Sequence, residues 1–187
     1  MDGWGEGELW FGEGLVLAND FSFSALADSA LAGSAHGTAP TTPRGAHRPP
    51  EVTVASNSGR MGNGSVAKAG THADPDDVVA LVRAFLTGDR VELSDVPLDL
   101  EPLSDFQRAV TIALRGVPRG EVVTYGELAA LAGRPRAQRA AGSVCAQNPF
   151  MFLVPCHRVV AANGIGSYGS AGAGVKRRLL GLEGVDL

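Results

Sequence analysis

The stretch with the most pointed chemistry is Asn148-Pro149-Phe150-Met151-Phe152-Leu153-Val154-Pro155-Cys156-His157-Arg158-Val159-Val160. An apolar run ends at a proline, and a cysteine follows at once with a histidine and an arginine adjacent. The thiolate is the nucleophilic form of cysteine, and a neighbouring base or cation raises its population. A cysteine in apolar sequence is otherwise an inert small packing residue. That description suits Cys145, which follows Val144 among small residues with no base beside it. It does not suit Cys156, because a histidine and an arginine are poor neighbours for pure packing. Cys156 is therefore the candidate nucleophile. Two cysteines are too few for a disulfide framework or a four-thiol zinc site. His36, His47 and His72 are irregularly spaced in loose sequence with no thiol nearby, and read as solvated side chains rather than metal ligands.

The elements that must position this segment are legible around it. Asp105 to Leu114 has helical spacing, with Phe106, Val110, Ile112 and Ala113 on one side and Gly116 and Pro118 after it. Thr124-Tyr125-Gly126-Glu127 fits a capping box, which predicts a helix from there to Ala132 that stops at Gly133. Arg134-Pro135 reads as a turn, with Pro135 as the first residue of a further helix over roughly Arg136 to Ala146. Two short helices joined by a glycine-bearing turn are a helix-turn-helix candidate. The second carries Arg136 and Arg139, then Ala140, Ala141, Gly142 and Ser143, small residues that let a helix backbone approach a narrow surface closely.

The first half of the chain is less regular. Glu8–Phe11 and Leu15–Leu17 read as two short strands around a glycine-bearing turn. From Ala27 to Pro50, 18 of 24 residues are Ala, Gly, Ser, Thr or Pro, which reads as a loop. Glu51–Val54 is a possible further strand. Asp74-Pro75 opens an amphipathic helix to about Leu86, ended by Gly88 and Asp89. Val91 to Leu100, with Pro97, reads as an extended connector.

Composition sets the outer limits. The chain has 187 residues, 44% of them apolar, enough for a core over part of its length. No run approaches the roughly 18 apolar residues of a membrane span. The acidic start lacks the cationic flank of a signal peptide, so a soluble, cytoplasmic protein with reduced thiols is expected. The net charge of -4 argues at first against a nucleic-acid partner. Split at Ser104, it separates into -9 for residues 1–104 and +5 for residues 105–187. The positive half includes Arg134, Arg136, Arg139 and the run Lys176-Arg177-Arg178, which on charge pattern alone reads as solvated surface.

Pro155-Cys156-His157-Arg158-Val159 resembles the signature of the O6-alkylguanine-DNA alkyltransferases, the methylated-DNA–protein-cysteine methyltransferases. The resemblance covers about 90 residues, Leu98 to Gly184. It includes Asp105-Phe106-Gln107-Arg108, Thr124-Tyr125-Gly126-Glu127-Leu128, Arg139-Ala140-Ala141-Gly142, Asn148-Pro149, the pentapeptide, and Lys176 with Leu182-Glu183-Gly184. It implies an α+β fold: a small N-terminal α/β domain over residues 1–97, with a short antiparallel sheet, a helix and a low-complexity insert over about 27–73. A mainly helical domain would follow over 98–187, with a winged-helix-like helix-turn-helix.

The resemblance also implies stoichiometric repair of DNA. A monomer would bind duplex DNA in the minor groove and flip out O6-alkylguanine, or O4-alkylthymine as a further substrate. Cys156 would take the alkyl group permanently, without a metal or organic cofactor. Residue by residue, His157 matches the base, Glu183 the relay carboxylate, Asn148 the residue bracing the nucleophile's turn, and Tyr125 the phenol that protonates guanine. Arg139 matches the arginine that replaces the flipped base in the stack. Arg134, Arg136, Tyr125, Ala140 and Gly142 join it on the DNA side, while Met151, Val154, Pro155 and Tyr168 line the substrate pocket. This chain departs from the family pattern at several places. Met151 stands where proline is frequent, and Thr111 where tryptophan is frequent. Tyr168-Gly169-Ser170-Ala171-Gly172 carries one residue more before Lys176, and the zinc ligands of some members have no counterpart. Two other readings remain open, a non-enzymatic sensor of alkylated DNA and a methyl-responsive regulator, with a thiol hydrolase a distant further one.

Overall fold

A computed structural model of the chain describes residues 4–23 and 73–187. The Ala27–Pro50 stretch, the strand expected at Glu51–Val54, and His36, His47 and His72 lie outside the described residues.

The N-terminal strands β1 (Gly5–Gly12) and β2 (Leu15–Phe23) form an antiparallel hairpin; β1 is longer at both ends than the sequence pattern predicts, and β2 starts where expected but runs six residues further. Glu13 and Gly14 both adopt positive φ, 49° and 77°, the turn whose twist matches that of paired strands. The register slips between Trp10 and Phe11, so that Leu17 has no partner on β1. This bulge matters for what β2 touches. Backbone N–H groups normally reach a strand's outer edge at even spacing, yet those of Val16 and Asn19, three residues apart, both do so. Val16 N donates to Pro97 O at 3.0 Å and Asn19 N to Pro149 O at 2.7 Å. The extra residue resets the phase. The Val91–Leu100 connector is thereby docked on β2 through the Val16–Leu98 bridge, and Arg115 donates to the carbonyls of Ser94 and Val96.

Helix α1 (Pro75–Thr87) begins as predicted, with the Asp74 side chain accepting from Asp76 N, and ends at Gly88 with φ 96°. Val78, Val82, Phe85 and Leu86 form its buried stripe. Helix α2 (Asp105–Arg115) is capped by Ser104 in a reciprocal box with Gln107. Strand β3 (Val123–Thr124) runs directly into α3 (Tyr125–Leu131), where Thr124 and Glu127 make the predicted capping box. Then α4 (Gln138–Ala146) packs on α3.

Here one expectation is corrected. Pro135 is not the first residue of a helix. Ala137 N donates to Arg134 O at 2.9 Å, so Pro135 sits inside a β-turn and α4 starts at Gln138. Proline's fixed φ suits the second position of such a turn as well as it suits a helix start.

A single turn of 3-10 helix (Cys156–Arg158) follows the apolar run, then β4 (Val159–Val160), which pairs in parallel with β3. Helix α5 (Gly172–Leu182) closes the chain. One continuous hydrophobic cluster joins these parts, from Trp4, Val16 and Phe85 to Phe152, Leu153, Val159 and Leu179. The basic run on α5 divides three ways: Lys176 is buried, Arg177 is exposed, and the Arg178 guanidinium stacks 3.7 Å from the centre of the Trp4 ring.

Candidate active site

Cys156 opens the 3-10 turn between the apolar run and β4, and only 8% of it is exposed. Asn148, two residues past the end of α4, sets its surroundings. Its Oδ1 accepts from Phe150 N at 3.0 Å, forming a local turn. Its Nδ2 donates to Val154 O at 3.1 Å and to Cys156 Sγ at 3.4 Å. One amide therefore ties both ends of the 148–156 loop together and touches the sulfur. Burial pushes the Cys156 thiol up, and the Asn148 contact, Tyr168 and the Lys176 charge pull it partly back. The resting group is a neutral thiol.

His157 and Glu183 meet behind the cysteine, both side chains fully buried, with Nε2 and Oε1 2.9 Å apart. Glu183 is the residue that ends α5. Arg158 grips the same carboxylate, with Nε to Oε2 at 2.9 Å and Nη2 to Oε1 at 2.8 Å, while its Nη1 donates to Val117 O at 2.6 Å. Burial alone would raise the Glu183 carboxyl, but His157 and Arg158 outweigh it and hold it at about 2. Burial pushes His157 down, against the pull of Glu183, and the imidazole stays neutral. An ionised carboxylate only accepts, so Nε2 carries the proton and Nδ1 keeps its lone pair. Nδ1 is buried and has no hydrogen-bond partner among the described residues. This is the electronic state of a base.

Arg158, two residues from Cys156 in sequence, thus spends its guanidinium on Glu183 and the Val117 carbonyl. Arg158 is committed to Glu183, because three consecutive residues in a 3-10 turn point in different directions. The cation whose field reaches the thiol is Lys176, which sequence reasoning carried only as a matching position. Its ammonium donates to the carbonyls of Val159 and Ser167, and burial lowers it. A signal did exist: Lys176 falls on the α5 face of Val175, Leu179 and Leu180, all buried.

Tyr125 is the first residue of α3 and lies over α4, where a Cβ on Gly142 would come within 3.7 Å of its ring. That is an ordinary contact distance, so Tyr125 packs against α4 at Gly142 with room there for a methyl group. Burial and the nearby thiols raise the Tyr125 phenol, while a hydrogen bond with Ser167 lowers it, and it remains a proton donor. Tyr168 is buried, its phenol pushed well above the ordinary value by burial and by Cys156. Its hydroxyl faces the thiol without making a hydrogen bond of good geometry. Val154 and Pro155 are buried and Met151 is half-buried. The extra residue after Tyr168 is taken up by a wide turn, Gly172 N to Tyr168 O at 3.1 Å, with positive φ at Gly169 and Gly172. Arg134, Arg136, Arg139 and Ala140 are all exposed on the turn and first part of α4, away from the buried His157–Glu183 pair.

Residues 105–185 match the family described as 6-O-methylguanine DNA methyltransferase, DNA binding domain. The methylated-DNA–protein-cysteine methyltransferase of Metallosphaera sedula is 44% identical over 100 residues, which are 54% of this chain and 62% of that protein. The Mycobacterium tuberculosis protein of the same name is 43% identical over 119 residues, 60% of this chain and 70% of the relative. The chain belongs to the O6-alkylguanine-DNA alkyltransferase family. Solved structures agree with this placement. The crystal structure of Mycobacterium tuberculosis OGT in complex with DNA superposes with a TM-score of 0.54 at 42% identity, covering 60% of this chain and 70% of that one. The O6-methylguanine-DNA methyltransferase of Pyrococcus kodakaraensis gives 0.51 at 33% identity, covering 64% and 70%. This alkyltransferase-family chain spans 62%, 59% and 65% of the lengths of the Metallosphaera sedula, Methanothermobacter thermautotrophicus and Methanosarcina acetivorans relatives.

Proposed function

We propose that this chain repairs DNA by transferring an alkyl group from O6-alkylguanine in duplex DNA to Cys156, once per molecule. The observation that carries the reading is the Asn148–Cys156 contact backed by the buried His157–Glu183–Arg158 cluster, in a chain of this family. His157 Nδ1, held as a neutral base, takes the thiol proton through the relay that the family resemblance implies. The sulfur then attacks the alkyl carbon from the side opposite O6, forming the S–C bond as the C–O6 bond breaks. The electron pair released onto guanine is met by a proton from the Tyr125 phenol at N3. The proton taken up by His157 then restores the Tyr125 phenol, so that in sum one hydrogen has left Cys156 and one has been gained by guanine. A thioether does not reverse, so one transfer ends the protein's activity.

Arg134, Arg136 and Arg139 form the cationic surface of the +5 half, and Arg139 is proposed to fill the gap left by the flipped base. The α3–α4 pair followed by β4 supports a winged-helix-like unit, which a monomer would apply to the minor groove. On this reading residues 98–187 carry the chemistry, braced by the β1–β2 hairpin and α1. Met151, Val154, Pro155 and Tyr168 would line the pocket. The test is incubation with an O6-methylguanine duplex followed by peptide mass spectrometry. The peptide containing Cys156 should gain about 14 Da, a methyl replacing hydrogen, at no more than one per protein. An unmodified peptide in a folded protein that still binds the duplex would favour the sensor reading instead.

A further inference from the structure

We infer that Asn19, on the N-terminal hairpin, is a positioning residue for the Cys156 loop. The inference rests on the proposed alkyl transfer, and it extends that reading to a residue far from the nucleophile in sequence. Asn19 makes three hydrogen bonds to one short segment. Its backbone N donates to Pro149 O at 2.7 Å, its Nδ2 donates to Met151 O at 2.6 Å, and its Oδ1 accepts from Met151 N at 2.5 Å. A side-chain amide that pairs with both the N–H and the C=O of one residue acts as a strand partner of a single residue's length.

The segment it holds needs holding. Phe152, the next residue, has φ 69° without being glycine, and its side chain is buried. Such a conformation persists only where the surroundings over-determine it. Asn19 fixes the backbone on one side of Phe152. On the other, the Phe21 ring meets the Phe152 ring edge-on with centroids 5.1 Å apart. Phe21 lies across Gly7, where an added Cβ would come within 2.2 Å of the ring. Gly7, Asn19 and Phe21 of the hairpin thus form one clamp. Two residues beyond Phe152 is Val154, whose carbonyl accepts from the same Asn148 amide that touches Cys156. A shift of the Met151–Phe152 backbone is passed to that carbonyl and so to the thiol.

Met151 stands where proline is frequent in the family, and proline has no N–H. The Met151 N–H to Asn19 Oδ1 bond is therefore available to this chain because of its departure from that pattern, and the two residues form a matched pair.

The test is Asn19→Ala, with Asn19→Leu as a volume-matched second variant in case the smaller one does not fold. Single-turnover methyl transfer is measured at saturating O6-methylguanine duplex, well below each variant's melting temperature. The dissociation constant for the duplex and the rate of Cys156 alkylation by iodoacetamide are measured alongside. The expected result is a transfer rate about 10-fold lower or more, with duplex affinity unchanged within about twofold, since a misplacement near 1 Å is costly only to the reacting geometry. The iodoacetamide rate should change in the same variants. In a Met151→Pro background, which lacks the N–H, Asn19→Ala should cost less than in the natural chain. A merely structural asparagine would lower the melting temperature and leave both rates per folded molecule unchanged, and that result overturns the inference. If the natural chain itself transfers no methyl group, the repair reading fails, and the iodoacetamide rates of the Asn19 variants decide the positioning role by themselves.

Discussion

His157 Nε2 lies 2.9 Å from Glu183 Oε1, and both side chains are fully buried. The pair joins the residue after Cys156 to the C-terminal end of α5, across 26 positions of sequence. Its neutral-imidazole, ionised-carboxylate state sets the first prediction. Glu183→Gln removes the charge that balances Arg158 and that orients the imidazole. Breaking a buried, hydrogen-bonded charge pair costs about 3 kcal/mol or more. The variant should melt at a distinctly lower temperature. At a permissive temperature it should transfer a methyl group at least about 100-fold more slowly, the scale of losing a positioned base. Differential scanning calorimetry and single-turnover kinetics check the two parts.

Acid stability follows from the same pair. The Glu183 carboxyl is held at about 2, below its ordinary 4.5, so the stability it contributes is present above 4.5 and is lost as pH falls towards 2. His157 is lowered from 6.5, so below 6.5 the unfolded chain takes up a proton that the native imidazole resists. Both groups act in the same direction. The melting temperature should begin to fall below about pH 6.5 and fall faster below about pH 4.5. The Glu183→Gln variant should lack the lower of these two windows. A melting temperature flat from pH 7 to pH 4 in the natural chain would contradict the assigned protonation states.

Asn148→Ala should raise the apparent pKa of Cys156, because the amide is a source of stabilisation for the sulfur against burial. Iodoacetamide alkylation as a function of pH reads this directly. The profile should move to higher pH, with a lower rate at any fixed pH below the midpoint. Lys176→Met removes the cation whose field reaches the thiol and should move the profile the same way.

The exposed arginines should separate into two roles. Arg134→Ala and Arg136→Ala should weaken duplex binding and flatten its salt dependence, each by about one in the slope of log affinity against log salt if it contacts one phosphate. Arg139→Ala should also slow transfer from a duplex while leaving transfer from a free O6-alkylguanine base within about twofold, because a free base needs no flipping. Filter binding across a salt series and paired single-turnover assays measure these effects.

Much of the site was legible before any coordinates because its residues are neighbours in sequence or belong to local signals. The Thr124–Glu127 box starts α3 where the pattern placed it, since a cap depends on residues three apart and on little else. Cys156 and His157 announced themselves by type and adjacency. Pro135 misled, because its fixed φ serves a turn and a helix start equally, and the choice rests on where Arg134 O finds its donor. The parallel β3–β4 pair, two residues on each side, is too short for any alternation to reveal.

The sequence by itself singled out Cys156 as the candidate nucleophile and gave the helix starts set by local caps and the division of charge between the two halves. These rest on residue type and on interactions within a few positions. The tertiary structure alone decided which groups meet. It sent Arg158 to Glu183, brought Lys176 within electrostatic reach of the thiol, seated Tyr125 on Gly142, and placed Asn19 on Met151, 132 residues away. Such contacts are chosen by packing across a shared core and by the satisfaction of buried polar groups, and neither leaves a local periodic trace in the chain.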